Sequence, residues 1–161
     1  MSQLRVNTVA TTSGSTNISL SSNGVGFDNK PIISGQVGSI ASFSADQLVP
    51  FDEFWVQRGI TYNSSTRRFT VPVAGIYRIT MNPFVGGTAG FRLLVGVNTD
   101  APSVTNHRGH CYIDAAEYDT LSINSVVQLN ANDYIVFRLF AGTLYNQSSD
   151  RFNQFSIERI A

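Results

Sequence analysis

Cysteine is almost missing from this sequence: Cys111 is the only one in 161 residues. No intrachain disulfide can form, which excludes a small secreted domain held together by bridges. Lysine is nearly missing too. Ten of the eleven basic residues are Arg, and Lys30 is the exception. Charged residues total 14%, against about 25% in an ordinary globular domain. Eleven acidic residues cancel the eleven basic ones. A chain without excess positive charge is not built to hold the phosphates of nucleic acid, so no nucleic-acid partner is expected. No apolar run approaches the ~20 residues of a membrane span, and no membrane insertion is expected. The opening MSQLRVNTVATTSGS has no apolar stretch of the kind a signal peptide carries. The expectation is a soluble protein made in a cytoplasm. Such low charge on a soluble chain fits a surface covered by copies of itself or by a larger particle.

Catalytic signatures are missing as well. There is no G-x-x-x-x-G-K-[ST], G-x-S-x-G, H-E-x-x-H or G-x-G-x-x-G. No Ser/His/Asp set stands out, so no enzyme, no catalytic residue and no cofactor is expected. The one cluster with ligand chemistry is His107, His110 and Cys111. His and Cys are zinc donors, but a fourth ligand is not evident, although Asp114 or Glu117 is near in sequence. The bland reading, a loop with ordinary histidines and a small buried Cys, is preferred, and no metal site is assigned. Asp114, Glu117 and Asp119 form an acidic loop whose spacing matches no calcium motif. Arg67-Arg68 reads as a polar loop tip before it reads as a grip for a carboxylate or sulfated sugar. Trp55 reads as core or subunit packing before it reads as a sugar platform.

What is present comes in two parts. From Thr11 to Gly24, twelve of fourteen residues are Ser, Thr, Asn or Gly, with Ile18 and Leu20 the exceptions. This stretch cannot bury enough to fold alone. It nevertheless sits beside alternating pieces, Leu4-Val6-Thr8 and Ile18-Leu20, and holds the turn signal Asn23-Gly24. Residues 1–33 are read as an arm that orders by adding strands to something else, with Leu4, Val6, Val9, Ile18 and Leu20 as its anchoring residues.

Residues 34–161 are read as one all-β unit. Tyr77, Ile79 and Met81 alternate with Arg78 and Thr80. Phe91, Leu93, Val95 and Val97 alternate with Arg92, Leu94 and Gly96. Period two with turn residues between the runs marks a sandwich, and no long stretch has a capped helical period. One run, Tyr134 to Phe140, is apolar on both faces apart from Arg138. An antiparallel strand usually shows water one polar face, so something covers the second. A neighbouring subunit is the favoured cover, and a long loop of the same chain is the alternative. On the first reading the interface residues are Tyr134, Val136, Phe137, Leu139 and Phe140, together with Tyr77.

The segment Phe51 to Thr80, FDEFWVQRGITYNSSTRRFTVPVAGIYRIT, resembles the first half of a C1q/TNF-like head domain. Tyr62, Asn63, Thr66, Phe69, Val71, Pro72, Gly75 and Tyr77 carry the likeness. Phe43-Ser44-Ala45 resembles the opening strand. Val126 to Phe140 resembles the later hairpin, with Asp133 and Val136 in place and Asn132 where Gly is usual; Asn also accepts positive φ. Phe152 to Ile157 resembles the closing strand without its Gly. The likeness covers about 120 of the 161 residues. It implies a jelly-roll sandwich that packs as a homotrimer. There is no collagen-like Gly-X-Y stalk. Instead, Leu4 to Val9 and the Gly/Ser-rich stretch after it are similar to the N-termini of virion appendage proteins of tailed phages, especially cyanophages. Together the two likenesses imply a structural virion protein: a trimeric knob whose N-terminal arm binds major capsid or tail proteins. Capsid decoration is placed slightly ahead of a short tail or baseplate appendage. The alternative is a glycan- or receptor-binding head for host attachment. Thirty arm residues reach at most about 100 Å, so this chain alone makes no long fibre.

Overall fold

A computed structural model describes residues 19–21, 24–26, 30–38, 43–87, 90–114, 118–147 and 152–161. All its regular structure is β. The strands are β1 (Ser19–Ser21), β2 (Gly24–Gly26), β3 (Ile32–Gln36), β4 (Phe43–Ser44), β5 (Gln47–Leu48) and β6 (Glu53–Arg58). Then come β7 (Thr61–Asn63), β8 (Arg68–Thr70), β9 (Gly75–Asn82), β10 (Phe84–Gly86), β11 (Phe91–Val97) and β12 (Gly109–Ile113). The last are β13 (Asp119–Thr120), β14 (Ile123–Leu129), β15 (Tyr134–Ala141), β16 (Thr143–Leu144) and β17 (Gln154–Arg159).

Two antiparallel sheets make the sandwich. One has the order β14-β9-β17-β3-β6. The other runs β12-β11-β15-β8-β7, with β5 also paired to β15. A small sheet, β13-β10-β16-β4, is formed by short strands. β1 and β2 pair antiparallel, with Leu20 opposite Val25 and Ser21 opposite Gly24; Asn23 of the expected turn lies outside the described residues. Leu4, Val6, Val9 and Ile18 lie outside the described residues, as does the side chain of Leu20.

The core follows from the alternation. On β9, Tyr77, Ile79 and Met81 point inward and are fully buried. On β17, Phe155 and Ile157 do the same, and on β15, Ile135, Phe137 and Leu139. Rings from both sheets meet in the middle. Phe155 lies 4.3 Å from Phe51 and 4.9 Å from Phe69, and Phe137 is 5.5 Å from Phe51, centroid to centroid. Offset and edge contacts of this kind add about 0.5–1.5 kcal/mol per pair beyond burial. Tyr62 completes the group at 4.6 Å from Phe69. Its hydroxyl accepts the Phe51 N–H at 3.0 Å, and burial pushes its pKa up. The hydroxyl of Tyr77 donates to the Val73 carbonyl at 2.8 Å, so the polar tip of that buried ring has a partner.

The turns use the expected chemistry. Asn63 Oδ1 accepts the N–H groups of Ser65 and Thr66, each at 3.0 Å, and Arg67 closes the hairpin at φ 56°. Asn132, standing where Gly is usual, has φ 70°. The sandwich starts earlier than the sequence suggests. Ile33 is a core residue, Arg159 N–H donates to the Pro31 carbonyl, and Lys30 Nζ reaches the Ile160 carbonyl. A boundary after residue 33 therefore cuts through β3, which lies inside its sheet between β17 and β6.

Candidate functional site

The two sheets present different outer faces. On the six-stranded sheet the outward residues of β11 and β15 are Arg92, Leu94 and Gly96 beside Val136, Arg138 and Phe140, with Gly96 opposite Val136 and Leu94 opposite Arg138. Leu94 and Val136 are 0% exposed within one chain. The segment after β11 crosses this face. A Cβ on Gly96 would lie 2.8 Å from the Thr99 carbonyl oxygen and 3.0 Å from Pro102 Cγ, so only Gly lets the segment come so close. Arg138 Nη1 donates to the Pro102 carbonyl at 2.9 Å, and its other nitrogen pairs with Asp46. The cover over the doubly apolar strand is thus a loop of the same chain, the alternative that the sequence left open.

This places the six expected interface residues as follows. Tyr77, Phe137 and Leu139 are inward and fully packed in the core, and Val136 lies under the loop. Tyr134 is half-buried, with the Arg68 guanidinium over its ring at 4.2 Å. Phe140 is exposed and has Arg138 at 5.4 Å from its ring centre. Only Tyr134 and Phe140 keep surface to offer a partner.

The five-stranded sheet has no such cover among the described residues. Its outer face reads Val56, Ser34, Ser156, Thr80 and Asn124 across one row of paired residues. The next row is Arg58, Ile32, Glu158, Arg78 and Val126. Arg78 and Glu158 pair with each other at 3.3 Å, and Arg58 Nε donates to the Lys30 carbonyl. Small neutral side chains fill the centre. Around them stand exposed apolar groups: Trp55 at 43%, Ile76 at 39% and Val126 at 58%. Trp55 lies at the register shift between β3 and β6 and lines a shallow depression of about 210 Å³ with Ser34, Thr80 and Ser156. Its indole N–H donates to Glu53 Oε1 at 3.1 Å. The core placement considered for Trp55 does not hold. Trp55 is the extra residue at the shift, next to inward-packed Phe54, and faces outward.

Other candidates resolve more simply. Arg68 is paired with Asp100 through both ends of its fork, and Arg67 donates to the Leu48 carbonyl, so the Arg pair is engaged within the chain. Tyr112 donates to Asp114, and Asp119 Oδ1 accepts the Thr120 N–H. Glu117 lies outside the described residues. Cys111 points inward, opposite in sense to its neighbours on β12, and burial pushes its thiol up to about 12. His107 and His110 meet each other instead. Among the described residues no group of three or more His, Cys, Asp or Glu is placed to hold a metal ion.

Sequence reasoning missed a ring cluster at the small sheet. Phe84 and Phe152 stack at 4.3 Å and 11°. Tyr145 packs edge-on to Phe84, and Tyr118, exposed and at φ 55°, packs edge-on to Tyr145. Beside them Asn82, Thr120 and Gln154 line a depression of about 230 Å³. The four rings come from distant points in the chain, so no local spacing marks them.

Comparison with known proteins agrees with this architecture. The sequence matches the C1q domain over residues 36–156, three quarters of its length, and the chain belongs to that family. Among solved structures, Eiger TNF from S. frugiperda superposes with a TM-score of 0.60 at 13% identity. That match covers 81% of this chain and 94% of the other. At that identity the likeness speaks for the fold alone, a C1q/TNF jelly roll. No curated protein matches the sequence.

Proposed function

We propose that this protein is a homotrimeric knob whose working surfaces bind other proteins, and whose N-terminal arm fixes it to a virus particle. C1q/TNF domains typically form homotrimers and are binding or structural folds. The observation that carries the trimer is the outer face of the five-stranded sheet. It is almost free of unpaired charge, centred on Ser34, Ser156 and Thr80, and edged by Trp55, Ile76 and Val126. Small side chains let a partner approach closely, and the exposed apolar groups gain about 25 cal/mol per Å² of apolar surface covered. No catalysis is assigned to it.

The virion role rests on the arm. Its Ser/Thr/Asn/Gly composition and short alternating pieces suit strand addition to a capsid or tail protein. Three arms on one trimer bind with a high effective concentration after the first has docked. Capsid decoration stays ahead of a tail appendage, because nothing in the sequence repeats to form a shaft. Assembly would take place in the host cytoplasm.

The test is a deletion of residues 1–29. By light scattering the full chain is expected to elute as three copies of its 17.6 kDa; the truncated protein should still elute as three copies of its own shorter chain, and lose binding to particles that the full chain decorates. A monomer of the full chain would overturn the trimer. A truncated protein that still decorates particles would overturn the arm as anchor.

A second reading, a glycan- or receptor-binding head, is favoured by one observation. The rings of Phe84, Phe152, Tyr145 and Tyr118 adjoin neutral hydrogen-bonding groups on Asn82, Thr120 and Gln154. Stacking faces beside amides are what a sugar ring requires. A glycan array with the trimer would show micromolar or tighter hits on this reading and none on the purely structural one.

A further inference from the structure

We infer that His107 and His110 form a two-point chelate for a borderline divalent metal ion of the zinc, copper or nickel type. His107 Nε2 and His110 Nδ1 stand 2.9 Å apart, with the rings at 83°. Metal–imidazole bonds are about 2.0–2.1 Å long, so two of them at 90–110° hold their nitrogens about 2.8–3.4 Å apart. The pair already has that bite.

The first donor is set by its surroundings. His107 Nδ1 lies 3.1 Å from the Ser103 carbonyl oxygen. A carbonyl only accepts, so Nδ1 carries the hydrogen and Nε2 of the neutral ring carries the lone pair. An imidazole whose other nitrogen is tied to a carbonyl is the usual arrangement behind a metal ligand, because it fixes both tautomer and ring direction. Ser103 is itself held: its N–H donates to Asn106 Oδ1 at 2.6 Å, and its carbonyl accepts the His107 N–H at 3.2 Å. Without an ion, His110 Nδ1–H donates to His107 Nε2. On binding, that hydrogen passes through solvent to His110 Nε2 and none is lost, so both facing nitrogens become donors.

The remaining coordination positions are open to water. His110 is exposed, and His107 borders a groove of about 710 Å³. Cys111 is not a ligand, since β12 turns it to the opposite face. No carboxylate joins the pair among the described residues. Asp133, on the same groove, is held by Asn98 Nδ2 and the Asn130 N–H. Arg108 also lines the groove. The site therefore selects by imidazole softness and not by negative charge, which excludes calcium and magnesium, ions that need oxygen donors.

The test is calorimetric titration of the chelator-washed full chain with zinc chloride, in a buffer that does not bind metal. Copper(II) electron paramagnetic resonance counts the nitrogen ligands. The expected result is one ion per chain with micromolar affinity and two imidazole nitrogens in the copper spectrum. His107→Gln and His110→Gln should each weaken binding at least tenfold, while Cys111→Ala should leave it unchanged. Both histidines lie at the surface, and circular dichroism checks that the variants fold. Zinc that fails to bind at millimolar concentration, binding that survives either His variant, or one ion per three chains would each overturn the chelate.

Discussion

The outer faces of the two sheets show how differently a sandwich can deal with its second side. On the six-stranded sheet Leu94 and Val136 are apolar, and a segment of the same chain, anchored by Arg138 to the Pro102 carbonyl, lies over them. On the five-stranded sheet the corresponding positions are Ser34, Ser156 and Thr80, and nothing among the described residues covers them. The apolar face is thus the one that is already closed, while the neutral, small-residue face is the one left for a partner. Apolar character along a strand reports that a cover exists. It does not report whose atoms supply it.

The largest expected effect breaks the covered face. Val136→Asp places a charge under the loop with no partner, which costs about 4 kcal/mol or more. The variant should be insoluble or unfolded by circular dichroism. A soluble, native-like Val136→Asp protein would mean the loop opens easily and the comparison is false. Phe155→Ala removes the ring that touches both sheets and should cost about 3–5 kcal/mol, read from the urea midpoint.

The comparison is sharpened by two surface changes made in parallel. Ser156→Arg, at the centre of the bare face, should convert the trimer to a folded monomer in light scattering. Phe140→Arg, on the other sheet, should leave the trimer intact. The reverse outcome would return the interface to the strand that the sequence suggested. A smaller effect is expected at the loop anchor. Arg138→Ala removes donation to Pro102 and the Asp46 pairing, for a loss of about 1.5–3 kcal/mol.

The last check is a pH dependence, confined to alkaline conditions. Burial raises the Cys111 thiol to about 12 from an ordinary 9.0. It raises the Tyr62 and Tyr77 hydroxyls too. A raised folded-state pKa means the unfolded chain loses its proton first. The stability held below pH 9 should therefore decline between pH 9 and 12. Urea midpoints across that range should fall, and Cys111→Ala should flatten part of the slope.

Much of the sandwich was legible because period two is a local property. Tyr77-Ile79-Met81 and Phe91-Leu93-Val95 announce an inward face wherever they occur, and Asn132 accepts the positive φ of its hairpin turn. The start of the fold was less legible. Ile32 and Ile33 follow a polar stretch, and only pairing with β17 and β6 shows that they are core strand and not arm. The direction of Trp55 was hidden for a related reason: the register shift against β3 breaks the alternation between Phe54, which packs against the core, and Val56, which is exposed.

By itself, the sequence determined that the chain is β and can form no intrachain disulfide, since composition and alternation act within a few residues, and its resemblance to C1q-like heads pointed to the kind of sandwich. Only the tertiary structure decided which sheet face is closed and which is bare. It also decided that Cys111 turns away from the histidines beside it, and that Phe84, Tyr118, Tyr145 and Phe152 meet. Those outcomes depend on where a loop crosses a sheet and on how distant strands pair, and no single segment contains that information.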